Sequence, residues 1–458
     1  MVIKDLARWA HEVKGAVLGP EDERFGNAGK PWNLTVPQRP GAVVVAADVD
    51  DVVATVRFAA EQGIQVAPQG TGHGAIDSTD GAILLRTGGL NEISVDPARR
   101  RARVGAGARW RDLQEACTPH GLSGLATNVP SAGVTGYTLG GGLGLLARRH
   151  GLAAHGLVSA ELVTGDGELL RVDAEHHADL WWALRGGGTP PGVVTELEIE
   201  LAEAPELFAG DLIWPADAAV DLFGAYRSWS STLPEELTTA IGVHQFPPLP
   251  SVPEPIRGQR AVTLTVCFLG TADAARRLLQ PMLEVAQPML DSTRPRTPDD
   301  LDLAGVPADG APVVIRTEIL GDLPESALAA VTDLGPQGSP LSVVEFRRLG
   351  GALARPADAP AALDRIEGEY FLESVGLIFR PEDVAVLAEE QGRVLAALEP
   401  AATGRTLRTF AGAEDRAVDR FFAPDVAARL GGIARRYDPG AVVHDPLDLR
   451  SVGADRPA

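Results

Sequence analysis

"IQVAPQGTGHGAIDSTDGAILLRT", Ile64 to Thr87, is the stretch on which the fold turns. Gly70, Gly72 and Gly74 surround a histidine, His73, between two runs that read as strands. A P-loop requires a lysine and a Ser or Thr after its last glycine, and neither follows. A Rossmann turn leads from a strand straight into a helix, whereas "AILLRT" reads as a further strand. Neither scheme gives the imidazole a role.

Upstream, "GAVVVAADVDDVVATVRFAAEQGIQVAP" reads strand, helix, strand. Asp48 or Asp50 can cap the helix, Val52, Val53, Val56 and Phe58 give it an apolar stripe, and Gly63 ends it. Downstream, "EISVDPARRRARVGAG" and "RWRDLQEACTPHG" continue as hairpin and helix. "SAELVTGDGELLRVD" is a hairpin turning at Asp166-Gly167. "DLWWALRGGG" is a short helix stopped by Gly186, with His176 and His177 as surface caps before it, and "GVVTELEIELAE" is a strand. From about Leu207 the pattern changes. "ELFAGDLIWP" is a strand followed by two helical stretches. "FPPLPSVPEPIRG" is a proline-rich loop that no central strand or helix could hold. "RAVTLTVCFLG" and "LSVVEFRRLGG" alternate as strands around the helix "TADAARRLLQPMLEVA", which predicts one antiparallel sheet with helices. The tail "PDVAARLGGIARRYDPGAVVHDP" is a helix closed at Asp438-Pro439-Gly440.

Length and composition bound the function. The chain has 458 residues and a formal net charge of −21, which opposes binding to nucleic acid or anionic membranes. The lysines are Lys4, Lys14 and Lys30, so positive charge is almost all arginine. Cys117 and Cys267 are the two cysteines, too few for a disulfide framework. No apolar run suits a signal peptide or a membrane span; the expectation is a cytoplasmic protein. No metal-ligand motif is present, and oligomeric state is not readable.

Two further glycine clusters follow the first: "VPSAGVTGYTLGGGLGLLARRHGL" (Val129 to Leu152) and "LRGGGTPPGVVTELE" (Leu184 to Glu198). One such cluster is an ordinary tight turn. Three suggest backbone N–H groups gathered around a phosphate-bearing ligand, a device that needs no lysine.

The pieces "QGTGHGA", "GYTLGGGLGLLARRHGLA", "ELVTGDGELLRV", "DLWWALRGGG", "GVVTELE" and "RRYDPG", in this order, resemble the FAD-linked oxidases of the vanillyl-alcohol-oxidase (PCMH-type) superfamily, in the berberine-bridge-enzyme-like branch. The resemblance covers roughly Arg39 to Leu201 and Phe421 to Asp438. It implies an α+β, two-domain PCMH-type fold: residues 1–205 binding FAD, 206–405 forming an antiparallel-sheet-plus-helices substrate domain, and 406–458 returning to the FAD side. It implies FAD contacts from Gln69, Gly70, Thr71, Gly72, His73 and Gly74. From the second cluster it implies Gly133, Val134, Gly136, Tyr137, Gly140, Gly141, Gly142 and Gly144, and from the third Gly192, Val193 and Val194. His73 holds the place of the histidine that bonds covalently to the flavin 8α-methyl carbon. The cysteine that opens the second cluster in many members is Val129 here, so attachment through His73 alone is expected. The chain departs from the family at Thr189-Pro190-Pro191, in the "GAVVHDPLDL" tail, and at "RTLRTFAGAED", where Phe410 stands and no tyrosine does.

Strand "SVVEFRRL" places Val343, Glu345 and Arg347 on one face and Val344, Phe346 and Arg348 on the other. Glu345 is the candidate base or substrate-orienting carboxylate, Arg347 stands beside it, and Tyr137 is the next candidate. The plain alternative for Glu345 and Arg347 is an exposed ion pair on an edge strand, and for Tyr437 a core position. The resulting expectation is an FAD-dependent oxidase, or a dehydrogenase passing electrons elsewhere. It would oxidise a small organic molecule, plausibly in secondary metabolism, with oxygen reoxidising the flavin. The competing readings are a non-redox flavin-containing cyclase or drug-binding resistance protein, or a chain that has lost FAD.

Overall fold

The computed structural model describes residues 3–454 apart from 4, 5, 77, 78, 189, 326, 327, 329, 330 and 332–337. Thr189 of the altered third loop therefore lies outside the described residues. Among those described, the architecture is α+β, as expected.

A small sheet holds the stretch that opened the analysis. Strands Ala42–Val45 and Val66–Gln69 both pair in parallel with Ile83–Arg86, and Ala16–Leu18 joins one edge antiparallel. The crossover is the helix Val49–Gln62. The Asp48 carboxylate accepts from the Asp51 N–H, a cap that contributes about 1 kcal/mol. Gly63 closes the helix at φ +64°. The tail joins the other edge: Val66 N–H donates to Val442 and His444 N–H to Val66, at 2.7 and 2.8 Å.

A second, antiparallel sheet runs in the order Ile93–Asp96, Arg101–Gly105, Gly192–Glu200, Leu157–Thr164, Leu169–Val172. Its core includes Trp110, Leu113, Trp181 and Trp182, and the tail helix Pro424–Tyr437 adds Leu430 and Ile433. Arg429 lies over the Trp182 ring, 3.7 Å from its centroid. The Asp438 carboxylate ends the helix by accepting from Val442 and Val443 N–H at 2.9 and 3.0 Å. The Tyr437 ring is buried beside it, and its hydroxyl donates to Asp179.

The third sheet is the largest. Its main path is Leu290–Asp291, Leu207–Pro215, Arg260–Leu269, Leu237–Gln245, Leu341–Arg348, Tyr370–Leu377, Val313–Leu320, every pair antiparallel. One face is apolar. Ile241, Leu264, Val344 and Phe346 pack there against Phe223, Leu279 and Leu387. These three come from the helices Ala219–Ser230, Ala272–Val285 and Asp383–Leu398. Each such side chain contributes about 1.5–3 kcal/mol by leaving water. No helix among the described residues is long and apolar enough to cross a membrane.

Three readings of the sequence need correction. After Leu207–Pro215 one helix follows, not two; "LTTAIGVHQ", Leu237–Gln245, is a strand in the middle of the sheet. Its threonines, alanine and glycine hide the alternation that puts Leu237, Ile241 and Val243 in the core. His177 occupies a helix N-cap position at φ +52° but makes no side-chain cap; its Nδ1 lies 3.3 Å from the Tyr437 hydroxyl, and His176 instead meets Asp173. Glu345 and Arg347 are not on an exposed edge. Their strand is flanked on both sides, and both residues are buried.

Candidate active site

The three glycine clusters converge on one groove enclosing a cavity of about 290 Å³. The first cluster lines it with Gln69, Gly70, Thr71, Gly72, His73 and Gly74. Gly133, Gly136, Tyr137 and Gly140 come from the second, and Gly192 and Val194 from the third. Val134, Gly141, Gly142, Gly144 and Val193 do not line it. Val134 and Val193 are fully buried in hydrophobic cores. A Cβ at Gly142 would strike the Tyr137 ring at 2.6 Å, and one at Gly144 the Ala126 carbonyl at 2.5 Å. One at Gly141 would meet Leu363 at 2.9 Å. These glycines let the chain pack behind the groove wall.

Glycine is required at Gly72. Its φ is +79°, and a Cβ would sit 2.7 Å from the Pro31 backbone. That turn lays the His73 ring flat on Trp32, with centroids 4.2 Å apart and planes 12° from parallel. Nδ1 of His73 lies 2.9 Å from the Thr71 hydroxyl and Nε2 lies 3.4 Å from Ser131 Oγ. Burial, helped by the nearby Arg109 cation, pushes the imidazole down to about 4. His73 is therefore neutral at pH 7, the form with a nucleophilic nitrogen lone pair.

The groove's own atoms ask for a ligand. A Cβ at Gly74 or Gly136 would meet no protein atom within 4 Å, so both keep open space that side chains could have filled. Among the described residues, six that line the groove carry buried polar atoms without a partner: Gln38 Oε1, Gln69 Nε2, Thr79 Oγ1, Thr135 Oγ1, the Tyr137 hydroxyl and Arg408 Nε. Such atoms are costly unless something bonds them. Arg408 carries the only permanent positive charge among the described lining residues. Burial pushes its guanidinium down to about 10. A long, polar, dianionic cofactor such as FAD fits this donor set: glycine N–H groups and Arg408 for its phosphates, amide and hydroxyl groups for its carbonyls and ring nitrogens. Gln38, Thr79, Thr135, Arg408, Thr409 and His444 escaped the sequence reading. Thr409 takes part by donating to the Tyr137 carbonyl and accepting from Gly142 N–H. Phe410, the residue at the altered tyrosine motif, packs at a tilt against Phe371, with ring centroids 5.1 Å apart and planes at 57°.

Beside the second cluster stands the polar face of the large sheet. Arg347 Nη1 donates to the Leu143 carbonyl at 3.1 Å, tying the sheet to that cluster. Its Nη2 lies 3.4 Å from Glu345 and 3.9 Å from Glu373. Glu345 and Glu373 are direct cross-strand partners. Burial pushes the Glu373 carboxyl up to about 7, against the pull of Arg347. His244 Nε2 lies 3.9 Å from Glu345, and burial pushes this imidazole down. Tyr137 is within electrostatic reach of Arg347 and Glu373; burial raises its phenol well above the ordinary value. The structure thus brings Glu345, Arg347 and Tyr137 together. Sequence reading missed Glu373 and His244, although "YFLESVGL" alternates and places Glu373 on the face of Phe371.

Val129 packs against the hydrophobic core next to the second cluster. Cys117 and Cys267 are buried and do not line the groove; burial raises both thiols to about 12.

Residues 40–173 match the family described as FAD binding domain. The chain is 31% identical over 294 residues to (R)-6-hydroxynicotine oxidase of Paenarthrobacter nicotinovorans, covering 63% of this chain and 62% of that protein. The match thus spans a little under two thirds of that relative's length. In fold, BBE-like 1 of Physcomitrella patens superposes with a TM-score of 0.83 at 20% identity, covering 96% of this chain and 98% of that one. Glucooligosaccharide oxidase from Acremonium strictum, whose FAD is 6-S-cysteinyl and 8α-N1-histidyl, gives 0.81 at 21% identity, covering 97% and 99%. Residues 40–173 thus match an FAD binding domain, and the described chain has the fold of the berberine-bridge-enzyme-like structures.

Proposed function

We propose that this chain is an FAD-dependent oxidase of a small organic molecule. The observation that carries the reading is the meeting of two sets of groups: the glycine-lined groove with neutral His73, and the cluster of buried Glu345 and Arg347 with half-buried Glu373, tied to it through Leu143. FAD would supply the hydride acceptor and pass the electrons to oxygen as hydrogen peroxide. Residues before Val194 and after Arg408 line the groove, which supports assigning 1–205 and 406–458 to the cofactor and 206–405 to the substrate.

The chain's own groups then divide the work. His73 would hold the cofactor through a ring nitrogen on the 8α-methyl carbon, a bond that replaces one methyl C–H and the imidazole N–H with the two electrons passing to oxygen, and with Val129 at the usual cysteine position this would be the single attachment. Glu345 accepts the proton that the substrate's O–H or N–H gives up as its C–H bond is oxidised. Arg347, 3.4 Å away, holds Glu345 in place. Tyr137 offers its unpartnered hydroxyl to the cofactor or the substrate. Anaerobic mixing of the yellow holoenzyme with candidate alcohols and amines tests this. Bleaching of the flavin, followed on aeration by peroxide equal to product, is expected. Product formation or tight binding with an unchanged flavin spectrum would overturn it in favour of non-redox work.

A further inference from the structure

The His73 ring is held on three sides. Trp32 lies flat against one face of the imidazole, with centroids 4.2 Å apart and planes 12° from parallel. The Thr71 hydroxyl lies 2.9 Å from Nδ1, and Ser131 Oγ lies 3.4 Å from Nε2. His73 lines the groove and Trp32 does not, so the imidazole stands between the indole and the ligand space. Trp32 is itself fixed from both halves of the chain. Its backbone N–H donates to the Thr71 carbonyl at 3.1 Å, and its indole N–H donates to the Pro307 carbonyl at 2.8 Å. The side chain is buried and packs with Ala311 and Val313.

Attachment of a flavin at His73 replaces one C–H bond of the 8α-methyl group and the imidazole N–H by a single C–N bond. Two protons leave, and two electrons pass through the flavin to oxygen, which becomes hydrogen peroxide. While the nitrogen lone pair is being shared, and until the N–H proton has gone, the imidazole carries positive charge. Its surroundings oppose that charge: the ring is buried and the Arg109 cation is near, the same causes that keep free His73 neutral and nucleophilic. The face of an indole is electron-rich and attracts a cation, most strongly where water is excluded. We propose that Trp32 is the positioning residue for the covalent bond: it holds the His73 ring in the attacking pose and offsets the positive charge that bond formation puts on it. The hydroxyls of Thr71 and Ser131 complete the arrangement. Whichever nitrogen bonds, the other has an oxygen beside it to accept its N–H. A packing role alone would need only an apolar side chain at Trp32.

The inference rests on attachment through His73, and its test keeps the two apart. Full-length protein is made free of flavin in a riboflavin-auxotrophic host and mixed with saturating FAD in air. Flavin fluorescence that stays with the acid-precipitated protein is followed over time. Trp32 is replaced site-specifically by mono-, di- and tetrafluorotryptophan carrying the fluorines on the benzene ring. These keep the shape and the N–H of the indole while draining electron density from its face. The attachment rate should fall stepwise along the series, by about two- to thirtyfold at its end. Fluorination strengthens an indole N–H donor, so any effect through Pro307 would act in the opposite direction. Trp32→Phe, which keeps an aromatic face, should attach flavin faster than Trp32→Leu. Affinity for non-covalent FAD, measured in the His73→Ala background, should stay the same along the fluorinated series, because the indole does not line the groove. Equal attachment rates along that series overturn the inference and leave attachment standing. A fall in rate matched by an equal fall in FAD affinity also overturns it, since Trp32 would then only shape the groove. Wild-type protein that retains no flavin removes attachment itself, and the inference with it.

Discussion

Replacing Glu373 by glutamine should stabilise the protein at alkaline pH, although glutamine removes an ion-pair partner. The carboxyl sits at about 7 in the folded protein, against an ordinary value near 4.5, and burial is the largest cause. Each pH unit of such a difference corresponds to about 1.4 kcal/mol, so the ionised side chain costs the fold roughly 3 kcal/mol above pH 7. The sign follows from the direction of the shift. A carboxyl raised on folding binds its proton more tightly in the native state, so its contribution is intact below about pH 4.5 and is lost as pH rises through 7. Glutamine carries no such charge. Chemical denaturation of Glu373→Gln and wild type, both FAD-loaded, should differ by roughly 2–3 kcal/mol in favour of the variant at pH 8 and by almost nothing at pH 4.5. Arg347, 3.9 Å away, opposes this gain only in part, because it keeps Glu345 at 3.4 Å. A variant that is equally or less stable at pH 8 would refute the reasoning. The Glu373–Arg347 attraction would then outweigh burial, and the cluster would hold structure together.

The remaining predictions concern the groove and the base. Acid precipitation should leave flavin on wild-type protein and release it from His73→Ala; flavin wholly in the wild-type supernatant excludes the covalent bond. Peptide mapping should find one flavinylated peptide, containing His73, and an adduct at Cys117 or Cys267 would contradict single attachment. In the His73→Ala background, Arg408→Met should weaken FAD binding by roughly ten- to hundredfold, measured by fluorescence titration. An unchanged affinity would mean that the guanidinium does not touch the cofactor. Glu345→Gln should keep FAD content and fold while slowing flavin reduction by ~10²–10⁴-fold, the usual effect of one general base. Reduction at the wild-type rate would move that role to Tyr137 or Glu373.

The parts of this site that were legible in the sequence are those the backbone dictates. Gly72 must be glycine because its φ is +79° and Pro31 presses on it, and a requirement of that kind shows in a single chain. His73 was picked out by the resemblance, because it stands at the family's histidine position in the turn; the turn alone would equally suit an imidazole that packs on Trp32. The alternation of "SVVEFRRL" separated Glu345 and Arg347 from Val344 and Phe346 correctly, since period two is a local property. What the sequence hid is what pairing creates. Glu345 meets Glu373 only because two strands align in one register, and His244 joins them from a strand too rich in small residues to read as one. Arg408 and His444 reach the groove only because the tail returns to the edge of the first sheet at Val66. The small residues that concealed Leu237–Gln245 have a packing reason. A valine or isoleucine at Ala240 or Gly242 would have made the strand obvious. Gly242 already lacks the room, since its Cβ would lie 3.1 Å from both the Glu345 Cα and His244 Nε2. The weak strand signal thus has a packing cause: the neighbouring strand and His244 already fill the place that a side chain at Gly242 would take.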